Sequence, residues 1–434
     1  MPAAPGTAPS RPPPPRLLPI VYFALGHVAL ILALLVAAIE PASIDTFFFQ
    51  PRMFFVVHLL TLGWITHSII GATYLAAPMA LRMTLPASKL DGWVCAGVVI
   101  GASGVISHFW IDEYSGIAWS GLMLLLAFGT IAIRVWRALR TAGSPLPIRI
   151  ACGCAYFNLL ATAGFGMLLA INKSDPILPG NHLQDVYAHA HLGLVGWALL
   201  MLIAVGSRML PMYLPAKPAK GWVLWVPVLL VQGGVWAFVL AWLYAPEAAR
   251  WAAACMAAGV GAFLLQMAGL FRRRVPAAKA LKRPDYGMLL SLQALVYLLL
   301  ATGIGLYLVF AERLNLGAVM VYGTFILLGL FGQIILGVEM RLVPMFAWIQ
   351  AWTRSGFKEL PTSPHDMTLR PAQLAALVLW TAGTPTLAWG LAEADHTLVS
   401  IGAWILIAGS LSAAVGTAAV LRHALKRFHE TAPG

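Results

Sequence analysis

Charged residues are scarce in this chain, and their scarcity excludes a soluble globular protein. Only 10% of the 434 residues are Asp, Glu, Lys or Arg, whereas charged residues make up roughly 25% of an ordinary soluble domain. Hydrophobic residues make up 60% of the chain instead. They are concentrated in runs long enough to cross a bilayer, for which about 20 apolar residues are needed. The composition therefore predicts an integral membrane protein.

Cysteine is scarce as well, and the common catalytic motifs are absent. All four cysteines lie within apolar stretches, so neither a disulfide framework nor a CxxC metal site is predicted. The GxxxxGK[ST] phosphate loop, the GxSxG nucleophile elbow, the HExxH zinc helix and the CxxCH haem attachment motif do not occur in the sequence. These absences exclude the enzyme classes that the motifs identify.

Apolar runs of about 20 residues predict an all-α polytopic fold with twelve transmembrane helices. Residues 17–422 are predicted to form a single transmembrane domain. The proline-rich residues 1–16 are predicted to be a disordered cytoplasmic tail, and residues 423–434 a second cytoplasmic tail. The predicted helices are 17–39, 53–81, 93–111, 115–137, 149–172, 184–210, 222–244, 248–271, 287–310, 316–346, 371–392 and 398–422.

The distribution of Lys and Arg predicts the orientation of these helices. Basic residues are enriched in the cytoplasmic loops of membrane proteins, and here they alternate along the chain so that the termini and every second loop carry nearly all of them. The protein is therefore predicted to lie in a bacterial inner membrane with both termini in the cytoplasm. The net charge of +12 is then an insertion signal and predicts contact with lipid, not with nucleic acid. The basic residues left on the outer side are Arg52, Lys173, Arg250 and Arg313.

An internal repeat indicates how the helices are arranged. The pattern His-x4-Gly-Trp begins at His58 and again at His191, 133 residues later. At the same offset from each other, Pro78 and Pro211 follow the two patterns, and a third copy keeps Pro344. Repeat units of about 17–148, 149–283 and 284–422 are predicted, which form three parallel four-helix arcs with pseudo-three-fold symmetry.

Five histidines fall within predicted helices and are the candidate site residues. An ionisable side chain inside a membrane span is a functional-site candidate by default, and imidazole nitrogen is a ligand of haem iron and of copper. His58, His189 and His191 are predicted to bind a cofactor, in one layer near the outer ends of their helices. The candidate metal ligands are His58, His67, His108, His189 and His191.

The spacing of these histidines predicts separate environments. His189 and His191 are two residues apart and point roughly 200° away from each other on a helix, so they face different crevices. His67 lies nine residues beyond His58, deeper and on the opposite face. The alternative is a structural role, in which the rings bond carbonyl groups or line a polar path. His27 has no counterpart in the repeat and is assigned a solvated or structural role. Glu339 is near the inner end of its helix, next to Arg341, and is as well explained by pairing at the interface as by a proton channel.

The histidine pattern resembles a known family. The segment from His189 through His191 to Trp197 is similar to the His-x-His helix of subunit I in the haem–copper oxidase superfamily, in the C-type oxidases and their nitric oxide reductase relatives. The segment from His58 to Pro78 also resembles the NnrS family of twelve-helix haem proteins. The resemblance implies one or two b-type haems, with copper as a further candidate. It also implies a redox partner such as a c-type cytochrome, a cupredoxin or a quinone, and nitric oxide or oxygen as the gaseous ligand.

The sequence departs from the oxidase pattern, and several functions stay open. In the oxidases the His-x-His occurs in the tenth helix, but the tenth helix here has no histidine. Either the arcs are used in a rotated order, with His58 and His108 on the copper side, or His58 and one of the helix-six histidines hold a low-spin haem between two imidazoles. Turnover as an oxidoreductase, a nitric oxide stress function without turnover, and a non-haem transporter or channel with a histidine-lined path are the competing hypotheses.

Overall fold

The computed structural model describes residues 17–178, 181–275, 284–354 and 363–425. The regular structure of these residues is helical, and twelve helices are long and apolar enough to cross a membrane. The chain is therefore a multi-pass membrane protein. The predicted tail 1–16 and residues 426–434 lie outside the described residues. The twelve helices are α1 (Leu18–Ile39), α2 (Pro51–Leu81), α3 (Lys89–Trp110), α4 (Ser115–Arg140), α5 (Leu146–Lys173), α6 (His182–Tyr213), α7 (Gly221–Tyr244), α8 (Pro246–Arg272), α9 (Tyr286–Phe310), α10 (Leu316–Thr353), α11 (Arg370–Glu393) and α12 (His396–Arg422).

The helix bounds agree with the sequence prediction within four residues, except at the end of α10. That helix was predicted to end at residue 346, soon after Pro344, but it continues to Thr353 with the proline inside it. Pro211 likewise lies inside α6. Proline is tolerated in membrane helices because neighbouring groups satisfy the backbone carbonyl that it leaves without a partner.

Three long helices occupy the centre of the bundle. The helices α2, α6 and α10 are the most buried of the twelve, and α2 contacts both α6 and α10. The Trp197 indole on α6 donates a hydrogen bond to the Thr66 hydroxyl on α2. Helices that follow each other in the chain pack side by side around them, as α3 with α4, α7 with α8 and α11 with α12. The side chains on the three central helices therefore face one another across the core.

Each central helix contains a π-helical segment at the same place in its sequence, and α2 has a second one at its end, Ala77–Leu81. The segments Leu59–Thr66, Leu192–Leu199 and Phe325–Gly332 are eight residues long and begin 133 residues apart. They start directly after His58, His191 and Thr324. Isolated π segments inside α-helices are uncommon and occur frequently at functional sites.

A glycine in each π segment admits a neighbouring helix. A Cβ atom at Gly63 would lie 2.6 Å from the Ala29 Cβ on α1, and one at Gly329 would lie 2.5 Å from the Tyr297 ring on α9. At Gly196 the distance to the Asn158 amide on α5 would be 3.0 Å. Any larger side chain at these positions would separate the helices. Gly63, Gly196 and Gly329 are 133 residues apart. The repeat therefore places a close helix contact at the same point of each central helix.

The two ends of the bundle differ in charge and are called the arginine-rich end and the cavity end. The arginine-rich end holds the connections α2–α3, α4–α5, α6–α7, α8–α9 and α10–α11, which contain or adjoin Arg82, Arg140, Arg273 and Arg370. The cavity end holds the other connections, with Glu40, Asp112, Asp175 and Asp395.

Candidate functional site

A large cavity lies between the central helices at the cavity end. Its volume is about 960 Å³, at the upper end of the range of roughly 300–1,000 Å³ that small-molecule and cofactor sites occupy. Most of its lining is apolar, from Leu, Val, Ile, Phe and Ala side chains of several helices. Three of the five candidate histidines line it: His58, His189 and His191.

His58 presents one ring nitrogen to the cavity. Its Nδ1 donates a hydrogen bond to the carbonyl oxygen of Phe54, 2.7 Å away and one helical turn earlier. Because a carbonyl only accepts, the proton is on Nδ1, and Nε2 keeps its lone pair. The Phe109 ring packs against the imidazole, with 4.7 Å between centroids. This arrangement fixes the tautomer that a metal ligand requires.

His189 faces His58 from the other side of a narrow crevice. The two ring centroids are 6.4 Å apart and the ring planes differ by 24°. Among the described residues, Nδ1 of His189 has no hydrogen-bond partner. The ring lies against the backbone of Gly166 on α5, where a Cβ atom would come within 2.9 Å of its Cε1 atom. The glycine thus leaves the room that the His189 ring occupies.

His191 lies in a different crevice of the same cavity. Its Nδ1 donates to the carbonyl oxygen of Tyr187 at 2.8 Å, and its Nε2 bonds the Tyr322 hydroxyl on α10 at 3.2 Å. The ring also packs against Phe238 on α7, with 4.5 Å between centroids. The neighbours of His189 are on α2 and α5, whereas those of His191 are on α7 and α10. The opposite directions expected from a His-x-His spacing are thus present.

Positions 133 residues apart supply the facing side chains in the two crevices. Tyr322 lies 133 residues after His189, and it faces His191 as His189 faces His58. For the third pair of central helices, α10 and α2, the corresponding residues are Thr324 and Val56. One crevice therefore has two imidazoles, the second has an imidazole and a phenol, and the third has neither.

The other two candidate histidines are not part of the described cavity lining. His67 is 3% exposed, bonds the carbonyl oxygen of Leu62 at 2.8 Å and packs against the Tyr22 ring on α1. His108 bonds the carbonyl oxygen of Gly104 at 2.6 Å and lies 3.8 Å from the Glu113 carboxylate. Within the described ranges there is no group of three or more His, Cys, Asp or Glu side chains that could hold a metal ion.

Two buried polar residues near the site were not singled out from the sequence. Asp185 on α6 is 1% exposed, and neither of its carboxylate oxygens has a partner among the residues described. It precedes His189 by four residues, a spacing that puts both on one face of the helix and that could have been recognised. Asn158 on α5 donates to the carbonyl oxygen of Gly196 at 2.8 Å and to Gln232 at 2.7 Å. It holds the π segment of α6 in place.

The mouth of the cavity carries basic and acidic side chains. Lys173 and Arg250 line it together with Glu247 and Glu312. Tyr114 also lines the mouth, and burial raises the pKa of its phenol to about 12, so this group is neutral at physiological pH. The cavity is therefore apolar inside and charged at its entrance, where carboxylate groups of a ligand would find cationic partners.

Comparisons with known proteins do not identify a relative of this chain. No model of a protein family matches it. The search of curated proteins also found no match.

Proposed function

We propose that the protein binds one b-type haem between His58 and His189 and transfers electrons within the membrane. The observation that carries this proposal is the arrangement of the two imidazole rings, 6.4 Å apart and inclined by 24°. They come from the separate helices α2 and α6 and border a cavity of about 960 Å³. This is the bis-imidazole arrangement that the resemblance to haem–copper oxidases leaves open.

The separation of the rings fits a metal ion between them. Metal–imidazole bonds of about 2.0–2.1 Å place two opposed nitrogens roughly 4 Å apart, and hence the ring centroids roughly 6 Å apart. The Phe54 carbonyl leaves Nε2 of His58 free to coordinate. A direct hydrogen bond between the two imidazoles would need nitrogens about 3 Å apart, and none joins these two rings among the described contacts.

The surroundings fit a porphyrin. The apolar lining would cover a macrocycle and exclude water, and Lys173 and Arg250 at the mouth would pair with propionate carboxylates. A haem with two imidazole ligands supplies one-electron transfer. Because both axial positions are then filled by the chain, we expect electron transfer and not binding of nitric oxide or oxygen as the activity of this site.

The second crevice does not offer the same room. The Nε2 atom of His191 and the Tyr322 oxygen are 3.2 Å apart, less than the roughly 4 Å that two ligands on opposite sides of a metal need. The proposal is therefore limited to one haem, without copper. The non-haem transporter hypothesis is less favoured, because a transport path does not require two imidazole rings that face each other with their centroids 6.4 Å apart.

The proposed architecture has three parallel arcs in a bacterial inner membrane, with the arginine-rich end in the cytoplasm. The 133-residue spacing of the π segments and of their glycines supports the arcs, and the charge difference between the ends supports the orientation. The haem would then lie near the outer face, where a c-type cytochrome or a cupredoxin is accessible. A quinone would reach it from the bilayer.

Absorption spectroscopy of the purified protein tests the proposal. Protein from haem-replete cells is expected to contain about one haem per chain, with a reduced-minus-oxidised spectrum of a low-spin b-type haem. Addition of nitric oxide to the reduced protein should leave that spectrum unchanged, because no axial position is open. A colourless preparation would contradict haem binding, and a rapid spectral change with nitric oxide would contradict six-coordination.

Asp185 is predicted to tune this haem through His189. Metal-bound histidines nearly always donate their other N–H to a carboxylate or carbonyl, and Nδ1 of His189 and both oxygens of Asp185 lack partners in the part of the chain described. A hydrogen bond between them would stabilise the oxidised iron. We expect Asp185→Asn to raise the midpoint potential by about 60 mV, which corresponds to a tenfold change in relative affinity for one electron.

A redox titration followed by absorption measures this effect. Asp175→Asn is the matched control, since Asp175 is an exposed acid at the cavity end of the bundle. The midpoint potential of this variant should equal that of the wild type. An unchanged potential in Asp185→Asn, with full haem content, would show that the carboxylate does not act on His189.

A further inference from the structure

A buried ion pair joins the first and the tenth helix, away from the haem site. Nε2 of His27 on α1 and Oε2 of Glu339 on α10 are 2.8 Å apart, with side chains 12% and 4% exposed. His27 lies nine residues into α1, roughly 13 Å from the arginine-rich end at 1.5 Å per residue. Glu339 therefore pairs with His27 inside the bundle and not at the membrane interface beside Arg341. Arg341 instead pairs with Asp285.

The charge of this pair limits the number of protons that it can hold. A net charge inside a membrane protein is expensive, so the favoured state is neutral. Neutrality requires one proton shared between the imidazole and the carboxylate, beyond the one that the neutral imidazole carries. Loss of that proton leaves a buried negative charge and gain of another leaves a positive one. The pair is thus a group that binds one exchangeable proton.

Each member of the pair also has an atom that is not satisfied. Nδ1 of His27 and Oε1 of Glu339 lack hydrogen-bond partners within the described residues. A buried polar atom without a partner costs about 1–3 kcal/mol, which is a reason to expect water at this place. Glu339 lines a small crevice of about 10 Å³, roughly the space that one water molecule needs.

The crevice leads to the arginine-rich end. Its polar lining comes from Gln373 in the first turn of α11 and from Ser412 and Thr417 near the end of α12. Gln373 is near the start of α11, so the crevice extends from the buried carboxylate toward the end of the bundle where α11 begins. A chain of hydroxyl and amide groups with a water molecule is a path for a proton.

Two other charged groups of the surrounding elements have partners of their own. On α10, Arg341 pairs with Asp285. On α11, Arg370 donates to the Pro284 carbonyl oxygen. Burial together with the neighbouring Arg341 lowers the pKa of His365, in the segment before α11. Within the described residues, the other titratable groups on α1, α2, α10, α11 and α12 are Tyr22, Arg52, His58, His67, Tyr74, Tyr322, Glu393, His396 and Arg422.

We propose that the His27–Glu339 pair is a proton-binding site that exchanges its proton with the aqueous phase at the arginine-rich end through the crevice between α10, α11 and α12. On release, the proton held between Nε2 of His27 and Oε2 of Glu339 leaves through the carboxyl group to the crevice water. The N–H or O–H bond that held it breaks and an O–H bond of a hydronium ion forms, and uptake reverses this step. This function does not depend on the haem, and its test uses neither a cofactor nor an electron donor.

The experiment is labelling of the full-length protein in membranes with dicyclohexylcarbodiimide, which reacts with protonated carboxyl groups in apolar surroundings. Mass spectrometry is expected to find the adduct on Glu339, with a labelling rate that falls at least tenfold as the pH rises across the titration of the pair. In sealed vesicles of known protein orientation, the rate should follow the pH on the side of the arginine-rich end. Asp91 is the matched control, since it is buried and paired with Arg134, and it should stay unlabelled.

Variants separate the pair from its surroundings. In His27→Leu, Glu339 loses its counter-charge and should keep its proton, so labelling at pH 8 should rise at least tenfold; Glu339→Gln should abolish the adduct. The proposal is overturned if wild-type Glu339 is not labelled at any pH, or if its rate does not depend on pH. Slowing of the reaction by sodium at constant pH would also overturn it, because the site would then bind a metal cation.

Discussion

His58→Ala and His189→Ala are each expected to remove the low-spin haem spectrum and to reduce haem content below a tenth of the wild-type value. Each imidazole supplies one of the two axial bonds in the proposed site. The rings face each other from α2 and α6, and the rest of the described cavity lining near them is largely apolar. A single remaining imidazole would hold the haem weakly and in a five-coordinate, high-spin state. The measurement is the haem-to-protein ratio together with the oxidised and reduced spectra.

His108→Ala is the control for this experiment. His108 lies at the same end of the bundle, but its ring is near Gly116 and Glu113 and is not part of the described cavity lining. Its haem content and spectrum should equal those of the wild type. His191→Ala should also retain the haem, because His191 bonds Tyr322 in the other crevice. Loss of the spectrum in His191→Ala, with His189→Ala unchanged, would reverse the assignment within the His-x-His pair.

Chemical rescue distinguishes a lost ligand from a misfolded protein. His58→Gly and His189→Gly leave a gap of imidazole size at each position, and added imidazole should restore the low-spin spectrum in both. Restoration requires that the rest of the site is intact. If a variant runs as a monodisperse peak in gel filtration but imidazole does not restore its spectrum, the histidine does not act as an axial ligand.

The helices could be predicted from the sequence because their signal is local. Each span is an apolar run bounded by charge, and lipid enforces helical structure on such a run. The prediction failed at the end of α10, which was predicted to end at residue 346, two residues after Pro344. Within the packed bundle the helix continues through it. The tertiary surroundings, and not the local sequence, decide whether a proline ends a membrane helix.

The site could be predicted only in part, because distances between helices are not written in any one segment. The spacing of His189 and His191 gives their opposite directions, since that follows from helix geometry alone. It does not give the partner of each ring. That depends on the contacts between α2, α6 and α10 and on the room beside Gly166.

Long-range polar contacts were the least predictable. His27 and Glu339 are separated by 312 residues. Neither recurs at the 133-residue offset of the repeat, so nothing in the sequence indicates that they pair. The single amides of Gln232, Gln266 and Gln293 each make a hydrogen bond between helices, to Asn158, to the Val223 carbonyl oxygen and to Thr381. An amide needs only some polar neighbour, whereas an ionisable pair needs one particular partner.

Asp91→Ala is expected to lower the free energy of unfolding by about 3–5 kcal/mol, the loss that follows when one partner of a buried ion pair is removed. Asp91 begins α3 and is 2% exposed. It pairs with Arg134 on α4 and accepts hydrogen bonds from the Tyr74 hydroxyl at 2.7 Å and from the Ser88 N–H at 2.8 Å. The variant would leave the partly buried Arg134 charge without its carboxylate and the Tyr74 hydroxyl without its acceptor. Three helices lose a shared contact.

Unfolding in mixed detergent micelles, followed by circular dichroism, measures this loss. Asp175→Ala is the control, because Asp175 is exposed and a surface substitution changes stability by about 0.5 kcal/mol or less. The double variant Asp91→Leu/Arg134→Met should recover most of the lost stability, since replacing both members of a buried pair by apolar groups is often neutral.

A loss of less than about 1 kcal/mol in Asp91→Ala would contradict the prediction, because the pair would then behave as a solvent-exposed salt bridge. Asp91 would in that case be a poor unreactive control for the labelling of Glu339. Recovery of stability in the double variant would show that the loss in Asp91→Ala comes from the uncompensated Arg134 charge. The cost of an uncompensated charge inside the bundle is also the reason that the His27–Glu339 pair is expected to hold its proton.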